Sequence, residues 1–198
     1  MMIKDIVLAT HNPHKLKEFS DYLSPLGIKV HSEKEFAENL EVKEDGETYH
    51  ENAFIKANAV KPFSPYPVLA DDSGIEIKAL GPNFPGIKSA RFLESLSDDP
   101  IEADKKVLSL MRGAGDRSAA FYCVLALIVS KRTYYFEGEC PGSILVKVTG
   151  EKGFGYDPIF HSLEGNVNFG ECDEETKSKY SHRGKAIAKL LEFLKKDS

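Results

Sequence analysis

Apolar residues recur along the chain in two rhythms, one continuous and one helical. The run "IVLA" at residues 6–9 is unbroken and short, which predicts a buried strand. Directly after it, Leu16, Phe19, Leu23 and Leu26 repeat at spacings of three and four, the stripe of an amphipathic helix. Asn12 suits the N-cap of that helix, Pro13 its first position and Gly27 its stop, so the helix is predicted over residues 13–26. "IKVHS" predicts a second strand, followed by an acidic loop over residues 33–47. Thr48 and Glu51 form a T-x-x-E capping box that opens a helix through "YHENAFIKANAV", ended by Pro62, Pro65 and Pro67.

The second half follows the same alternation. "PVLADDSGIEIKAL" reads as two short strands joined at residues 72–74, and "GPNFPGIKSARF" as a loop that exposes its backbone. Asp99, Pro100 and Glu102 open a further helix that ends at Arg112 and Gly113. The apolar run 119–129 is a buried strand, "RTYYFEGEC" its partner, and "GSILVKV" a third strand. "GFGYDPIF" is a loop leading into a fourth. The last helix starts near Ser181 with the stripe Ile187, Leu190, Leu191 and Leu194. No repeat, low-complexity tract or linker interrupts the chain. The predicted architecture is α/β with a mixed sheet, one domain over residues 1–198.

Composition narrows the function classes. A chain of 198 residues supports one substantial core, and the net charge of −5 disfavours a broad surface for nucleic acid or acidic membrane. Cys123, Cys140 and Cys172 are odd in number and form no C-x-x-C pair, so reduced thiols in a cytoplasm are expected. No signal core precedes the first strand, and the longest apolar run is too short to span a bilayer.

Charge at the helix starts is where chemistry first shows. The helix opened by Asp99 carries Glu102 and Asp104 early, as the positive end of its dipole prefers. The first helix instead begins with His14, Lys15 and Lys17, and the last with His182, Arg183 and Lys185. Two readings are open. A bound anion would accept both the free N–H groups and the cations. Alternatively the cations are solvated, at a dipole cost of only ~0.3–1 kcal/mol each.

Other constellations carry their own alternatives. "THNPHK" lacks the glycines of a Walker loop, yet Thr10, Asn12 and Lys15 at a strand-to-helix turn suit phosphate oxygens. Asp71 and Asp72 end an apolar run. As consecutive strand residues they point to opposite faces, so one at most enters a given cleft, where it would suit Mg²⁺. An Asx-turn is the other reading of D-D-S-G. Asn52 and Lys56, four apart, share a helix face that is either functional or merely solvated. Phe154 and Tyr156 stand among glycines, either stacking on a base or folded onto the core.

In order, "LATHNPHKLKEF", "ENAFIKA", "LADDSGIEI", "PGIKSARF", "GFGYDPIF" and "SHRGKA" resemble the inosine triphosphate pyrophosphatase family over residues 6–194. The resemblance implies a two-lobed α/β fold with a long central mixed sheet flanked by helices and the active site in the cleft between lobes. It implies Mg²⁺-dependent hydrolysis of non-canonical purine nucleoside triphosphates (ITP, dITP, XTP) to monophosphate and pyrophosphate by a cytoplasmic homodimer. No nucleic-acid or membrane partner is implied.

By motif, Thr10, His11, Asn12, Pro13, His14 and Lys15 correspond to triphosphate contacts, with Asn12 and Lys15 the main grips. Asp72 corresponds to the general base and a metal ligand, and Ser73 touches substrate. Phe154, Gly155, Tyr156 and Asp157 line the base pocket, Phe154 by stacking, and Lys177, His182 and Arg183 read the purine. The acidic loop supplies a second metal ligand: alignment selects Glu44, with Glu41 as the substitute. Asn52, Lys56 and Arg91 take phosphate or structural roles. The turn "GPNFPG" is one residue longer than the family's compact G-G-x-P-G.

Overall fold

The computed structural model describes residues 3–38 and 40–196. The ends of the expected 1–198 domain and Asn39 of the acidic loop lie outside the described residues. Strand β1 (Asp5–Leu8) leads into α1 (Pro13–Leu23), a 3₁₀ turn at Ser24–Leu26 and β2 (Lys29–Ser32). Helix α2 (Tyr49–Val60) precedes β3 (Val68–Ile77), β4 (Pro85–Gly86), α3 (Ser89–Leu96) and α4 (Pro100–Leu110). Then come β5 (Ser118–Val129), β6 (Arg132–Ile144), β7 (Phe160–Ser162), β8 (Val167–Asn168), α5 (Glu174–Tyr180) and α6 (His182–Lys196).

The strands form one mixed, open sheet in the order β2-β1-β3-β5-β6-β7-β8, with β4 paired to β3. β1 runs parallel to β2 and to β3, whereas β4 runs antiparallel to β3, and β7 antiparallel to both β6 and β8. Packing divides the chain into two compact units. The first holds the residues up to Asp72, Val124–Glu137 and those from Ala186 onward; the second holds Ser73–Cys123 and Gly138–Lys185.

In the first unit, Val7, Ala9, Val68, Ala70, Val124, Ala126 and Ile128 lie on one face of the sheet and pack against Ala53, Ala57 and Val60 of α2. The residues that alternate with them, Ile6, Leu8, Leu69, Leu125 and Leu127, are fully buried too. A sheet covered on both faces explains why these strands read as unbroken apolar runs. Phe19 and Leu23 of the predicted α1 stripe are buried, while Leu26 is exposed beyond the helix end. The second unit has its own core of Ile75, Ile77, Val107, Met111, Phe121, Ile144, Tyr156, Ile159, Phe160 and Phe169.

Three predicted boundaries are corrected. "VLADDSGIEI" is one ten-residue strand, not two joined at a turn. Gly74 reads as a turn residue but serves close approach, since a Cβ there would lie 2.1 Å from the Gly86 carbonyl oxygen. "RTYYFEGEC" and "GSI" form a single strand through Pro141 and Gly142, because the ladder to β7 continues there: Gly142 pairs with Ser162, and Leu163 N–H donates to Pro141 C=O. "GPNFPG" does not simply expose backbone; its last two residues are buried as β4, and "SARF" opens α3. Helix α5, capped by Asp173, escaped the sequence reading because its seven residues carry no apolar stripe.

At the start of the sheet, His31 is buried between two acids. Its Nε2 lies 2.8 Å from Asp5 and its Nδ1 2.9 Å from Glu35, and its ring stacks on Tyr66. The hydrogen bonds to Asp5 and then Glu35 raise its pKa above the ordinary value, against the opposing effect of burial. A raised folded-state pKa stabilises below the unfolded value and is lost as pH rises through the folded one. His31→Gln should therefore cost about 1–2 kcal/mol at acid pH, below the ordinary histidine value, and progressively less as pH rises through the raised folded-state value, measured by urea unfolding along a pH series.

Candidate active site

The first unit gathers charge at the end of β1 and in the middle of β3. Because side chains alternate along a strand, Asp72 shares its face with Val68 and Ala70, the face that α2 covers. Asp71 shares the opposite face with Leu69. Each carboxylate meets a lysine from a different helix. Lys15 of α1 bonds Asp71. Lys56 of α2 lies 2.8 Å from Asp72 Oδ1 and 3.2 Å from Glu44 Oε2. The Asx-turn reading of D-D-S-G and the solvated-face reading of Lys56 both fall away.

Electrostatics in this cluster are unbalanced. Burial raises the Asp72 pKa above the ordinary range, Lys56 opposes that, and the neighbouring Asp71 and Glu44 add to it. Burial works against the charge on Lys56, but Asp72 and Glu44 outweigh it and hold its pKa high. Three carboxylates thus surround two ammonium groups. The buried Asp72 Oδ2 has no hydrogen-bond partner among the described residues. Such an oxygen, in an all-oxygen donor set, fits a hard divalent cation that keeps most of its waters. No group of three or more ligating side chains exists among the described residues, so any ion there leans on water and phosphate.

The turn before α1 is built as its residues predict. Asn12 Oδ1 accepts from His14 N–H at 2.9 Å and Lys15 N–H at 3.4 Å, and Thr10 Oγ1 accepts from Asn12 N–H at 3.1 Å. Pro13 and His14 are exposed. His11 Nε2 lies 3.0 Å from Glu33 Oε1. Glu33 is buried, and burial raises its pKa against the pull of His11, Lys34 and Lys56. Sequence reasoning did not single Glu33 out. The register Leu8↔Ser32, which brings the end of β2 beside the Thr10 turn, is what places it there. Glu44 reaches Lys56, whereas Glu41 is exposed. Asn52 turns to the acidic loop, its Oδ1 accepting from Gly46 N–H at 2.9 Å.

The second unit holds the other cluster. Gly153, at φ +76°, bends the chain so that Asp157 Oδ2 accepts from Phe154 N–H at 2.7 Å and from Lys177 Nζ at 2.6 Å. A Cβ on Gly153 would lie 2.1 Å from that carboxylate oxygen, so the residue must be glycine. The Phe154 ring is 47% exposed, with Lys177 Nζ 4.9 Å and the Arg183 guanidinium 5.6 Å from its centroid. Tyr156, read from the sequence as lining the same pocket, instead belongs to the core and donates its hydroxyl to Ser89 C=O at 2.8 Å. Ser73 is half-buried on β3, and Arg91 sits exposed on α3.

Ser181 caps α6, its Oγ accepting from Gly184 N–H at 3.0 Å. His182 stacks on Phe121 with ring centroids 4.7 Å apart. Arg183 is only 4% exposed. Neither is a solvated surface cation, which removes that reading at this helix start. At α1 the outcome is mixed: Lys15 is held by Asp71, while Lys17 is exposed beside Asp21.

Asp104 also departs from expectation. The sequence suggested an acid answering the helix dipole, yet it is fully buried. The signal was present, since Asp104 stands three before Val107 and seven before Met111, on the apolar stripe of α4.

A strand-to-helix turn with lysine-paired acids in one unit, and a cation-flanked aromatic in the other, defines a nucleotide-binding α/β enzyme class. The Ham1 family pattern matches residues 6–193, and the chain belongs to that family. The chain is 45% identical over 192 residues to a dITP/XTP pyrophosphatase of Desulforamulus reducens, covering 96% of this chain and 94% of that one. It is 41% identical over 197 residues to the dITP/XTP pyrophosphatase of Bacillus subtilis, covering 98% of each. Among solved structures, a HAM1 protein from Coxiella burnetii superposes with a TM-score of 0.87 at 36% identity, covering 98% of this chain and all of that one. The Staphylococcus aureus Ham1 protein gives 0.86 at 33%, with the same coverage.

The Asp157–Lys177 pair is buried, so truncating one partner strands the other's charge. Asp157→Ala should destabilise the protein by about 3–5 kcal/mol, read as a lower urea midpoint, and Asp157→Asn by less.

Proposed function

We propose that the protein hydrolyses the non-canonical purine nucleoside triphosphates ITP, dITP and XTP to monophosphate and pyrophosphate, removing deaminated purines from the nucleotide pool. The observation that carries this reading is the cluster of Asp71, Asp72, Glu44, Lys15 and Lys56 beside the basic start of α1, in a chain of the Ham1 family. Both units serve this reaction as a single domain over residues 1–198, in a cytoplasmic homodimer. No helix among the described residues is long and apolar enough to cross a membrane.

The cluster of the first unit is the triphosphate end. The Asn12 side chain, the Lys15 ammonium and the His11–His14 turn receive phosphate oxygens, which compete with Asn12 Oδ1 for the His14 and Lys15 N–H groups. Lys15 and Lys56 neutralise charge that grows on the leaving pyrophosphate. Asp72 orients a water toward the α-phosphorus. As the new P–O bond forms, Asp72 takes the water's proton, and the bond to the bridging α–β oxygen breaks. A Mg²⁺ held by Asp72 and Glu44 would supply further neutralisation and make the water more acidic.

The cluster of the second unit is the base end. Phe154 offers an exposed ring on which a purine stacks. Lys177, His182 and Arg183 are donors, and a 6-oxo group is an acceptor where adenine presents an amino donor. Such a site leaves adenine badly paired, which discriminates strongly.

The decisive test is a product assay with ITP, dITP, XTP, GTP, ATP and dTTP at equal concentration with Mg²⁺, separating pyrophosphate from phosphate. Pyrophosphate with monophosphate from the first three alone is expected; phosphate release, or equal cleavage of all six, overturns the reading. Asp72→Asn should lower kcat by about 10²–10⁴-fold in the same assay. Phe154→Ala should raise KM for ITP by roughly tenfold with kcat little changed, from the loss of ~1–3 kcal/mol of stacking.

A further inference from the structure

Asp104 is a fully buried acid that the mechanism leaves unused. It is 0% exposed, and neither carboxylate oxygen has a hydrogen-bond partner among the described residues. Its helix packs against the turn Asp157–Ile159, and its own stripe residues Val107 and Met111 share a core with Tyr156 and Ile159. Asp157 acts on it as a like charge, and its Oδ2 already serves Phe154 N–H and Lys177 Nζ. The Asp157 carboxylate is therefore the hub that sets both the aromatic platform and one base-reading cation.

We propose that Asp104 is a positioning residue for the base end. While it is protonated Asp157 is the sole anion at that spot, and when it loses the proton the Phe154–Lys177 arrangement loosens and substrate binding weakens. The inference rests on the reading of this cluster as the purine site.

The physical grounds are burial and like charge. An ionised carboxylate without donors or solvent is disfavoured strongly, and a second anion nearby disfavours it further. Burial first, then Asp157, push the Asp104 carboxyl up to about 7. The reciprocal effect reaches Tyr156, whose hydroxyl is held protonated by burial and by Asp104. From the elements packed around Asp104, the charged or titratable groups are Tyr156 and Asp157 of the loop, Lys177 bound to Asp157, and Arg91 and Glu94 of α3. Arg91 and Glu94 are exposed. On α4 itself, Glu102 pairs with Lys105 at 2.6 Å, and Lys106 donates to Leu96 C=O.

The sign follows from linkage. Unfolded, Asp104 ionises near the ordinary value of about 4; folded, it resists until about 7. Folding is thus increasingly penalised as pH climbs between those values, and the penalty is constant above them.

The test compares wild type with Asp104→Asn, which keeps the shape of the neutral acid at every pH. KM and kcat for ITP are measured from about pH 6 to about pH 8.5. The expected result is a wild-type to variant KM ratio near one at the acid end that rises several-fold at the alkaline end, with the kcat ratio flat. A purely structural role would not move the KM ratio with pH, and a constant ratio overturns the proposal.

Thermal unfolding of both proteins without substrate reads the proton directly. With the range extended down to about pH 4, the Tm advantage of the variant should grow up to about pH 7 and then level off, and an advantage that stays constant from about pH 4 to about pH 7 overturns the proposal. Should wild type fail to turn over ITP at any pH, the purine reading falls on that result alone, while the Tm comparison still judges whether Asp104 holds its proton.

Discussion

Two consecutive carboxylates on opposite faces of one strand are the constraint from which the first unit's chemistry follows. Asp71 and Asp72 are both buried, and each needs a cation from the helix covering its own face. That requirement ties α1 to one face through Lys15 and α2 to the other through Lys56. A strand without the strict two-residue alternation would place both acids on one side, where two buried like charges could not both ionise. The arrangement also leaves one more negative than positive group when Glu44 is counted, which predisposes the cluster to a cation.

Asp157 plays the corresponding part in the second unit. A single carboxylate fixes the backbone of Phe154 and the ammonium of Lys177, so the exposed ring and one of its flanking cations share one anchor. The aromatic stays half in solvent because the residues around it, Gly153 and Gly155, adopt positive φ and offer no side chain to cover it. Tyr156, one step further, turns inward because its hydroxyl has the Ser89 carbonyl to satisfy it. Neighbouring aromatics in one loop thus meet opposite fates for a hydrogen-bonding reason.

The helix starts show how local rules and ligand demands compete. α2 and α4 obey the dipole rule and carry acids early; α1 and α6 do not. In α6 the reversed charge is buried beside aromatic rings, a placement with no value for solubility. In α1 the reversal is partly absorbed by Asp71, from a strand that only the fold brings near.

Much of this was determined by the sequence alone. Asn12 and Pro13 start the first helix, Thr48 and Glu51 open the second, and the unbroken apolar run of β5 marks a strand covered on both faces, whereas Gly27 closes a 3₁₀ turn beyond the first helix rather than the helix itself. The order of short motifs pointed to the family, since phosphate grip, acid pair, aromatic turn and basic helix start need specific residue types at fixed local spacing. The tertiary structure decided what depends on partners distant in the chain. It set Glu44 against Lys56 and left Glu41 exposed, because reach to Lys56 is set by how the acidic loop folds onto α2. It brought Glu33 to His11 through the register of β2 on β1. It also made Gly74 and Gly142 strand residues through backbones that approach too closely for any Cβ. It buried Asp104 and Tyr156 while leaving Phe154 exposed. Local sequence encodes periodicity and caps, but burial and charge pairing are properties of the neighbours, and the neighbours are chosen only when the sheet is assembled.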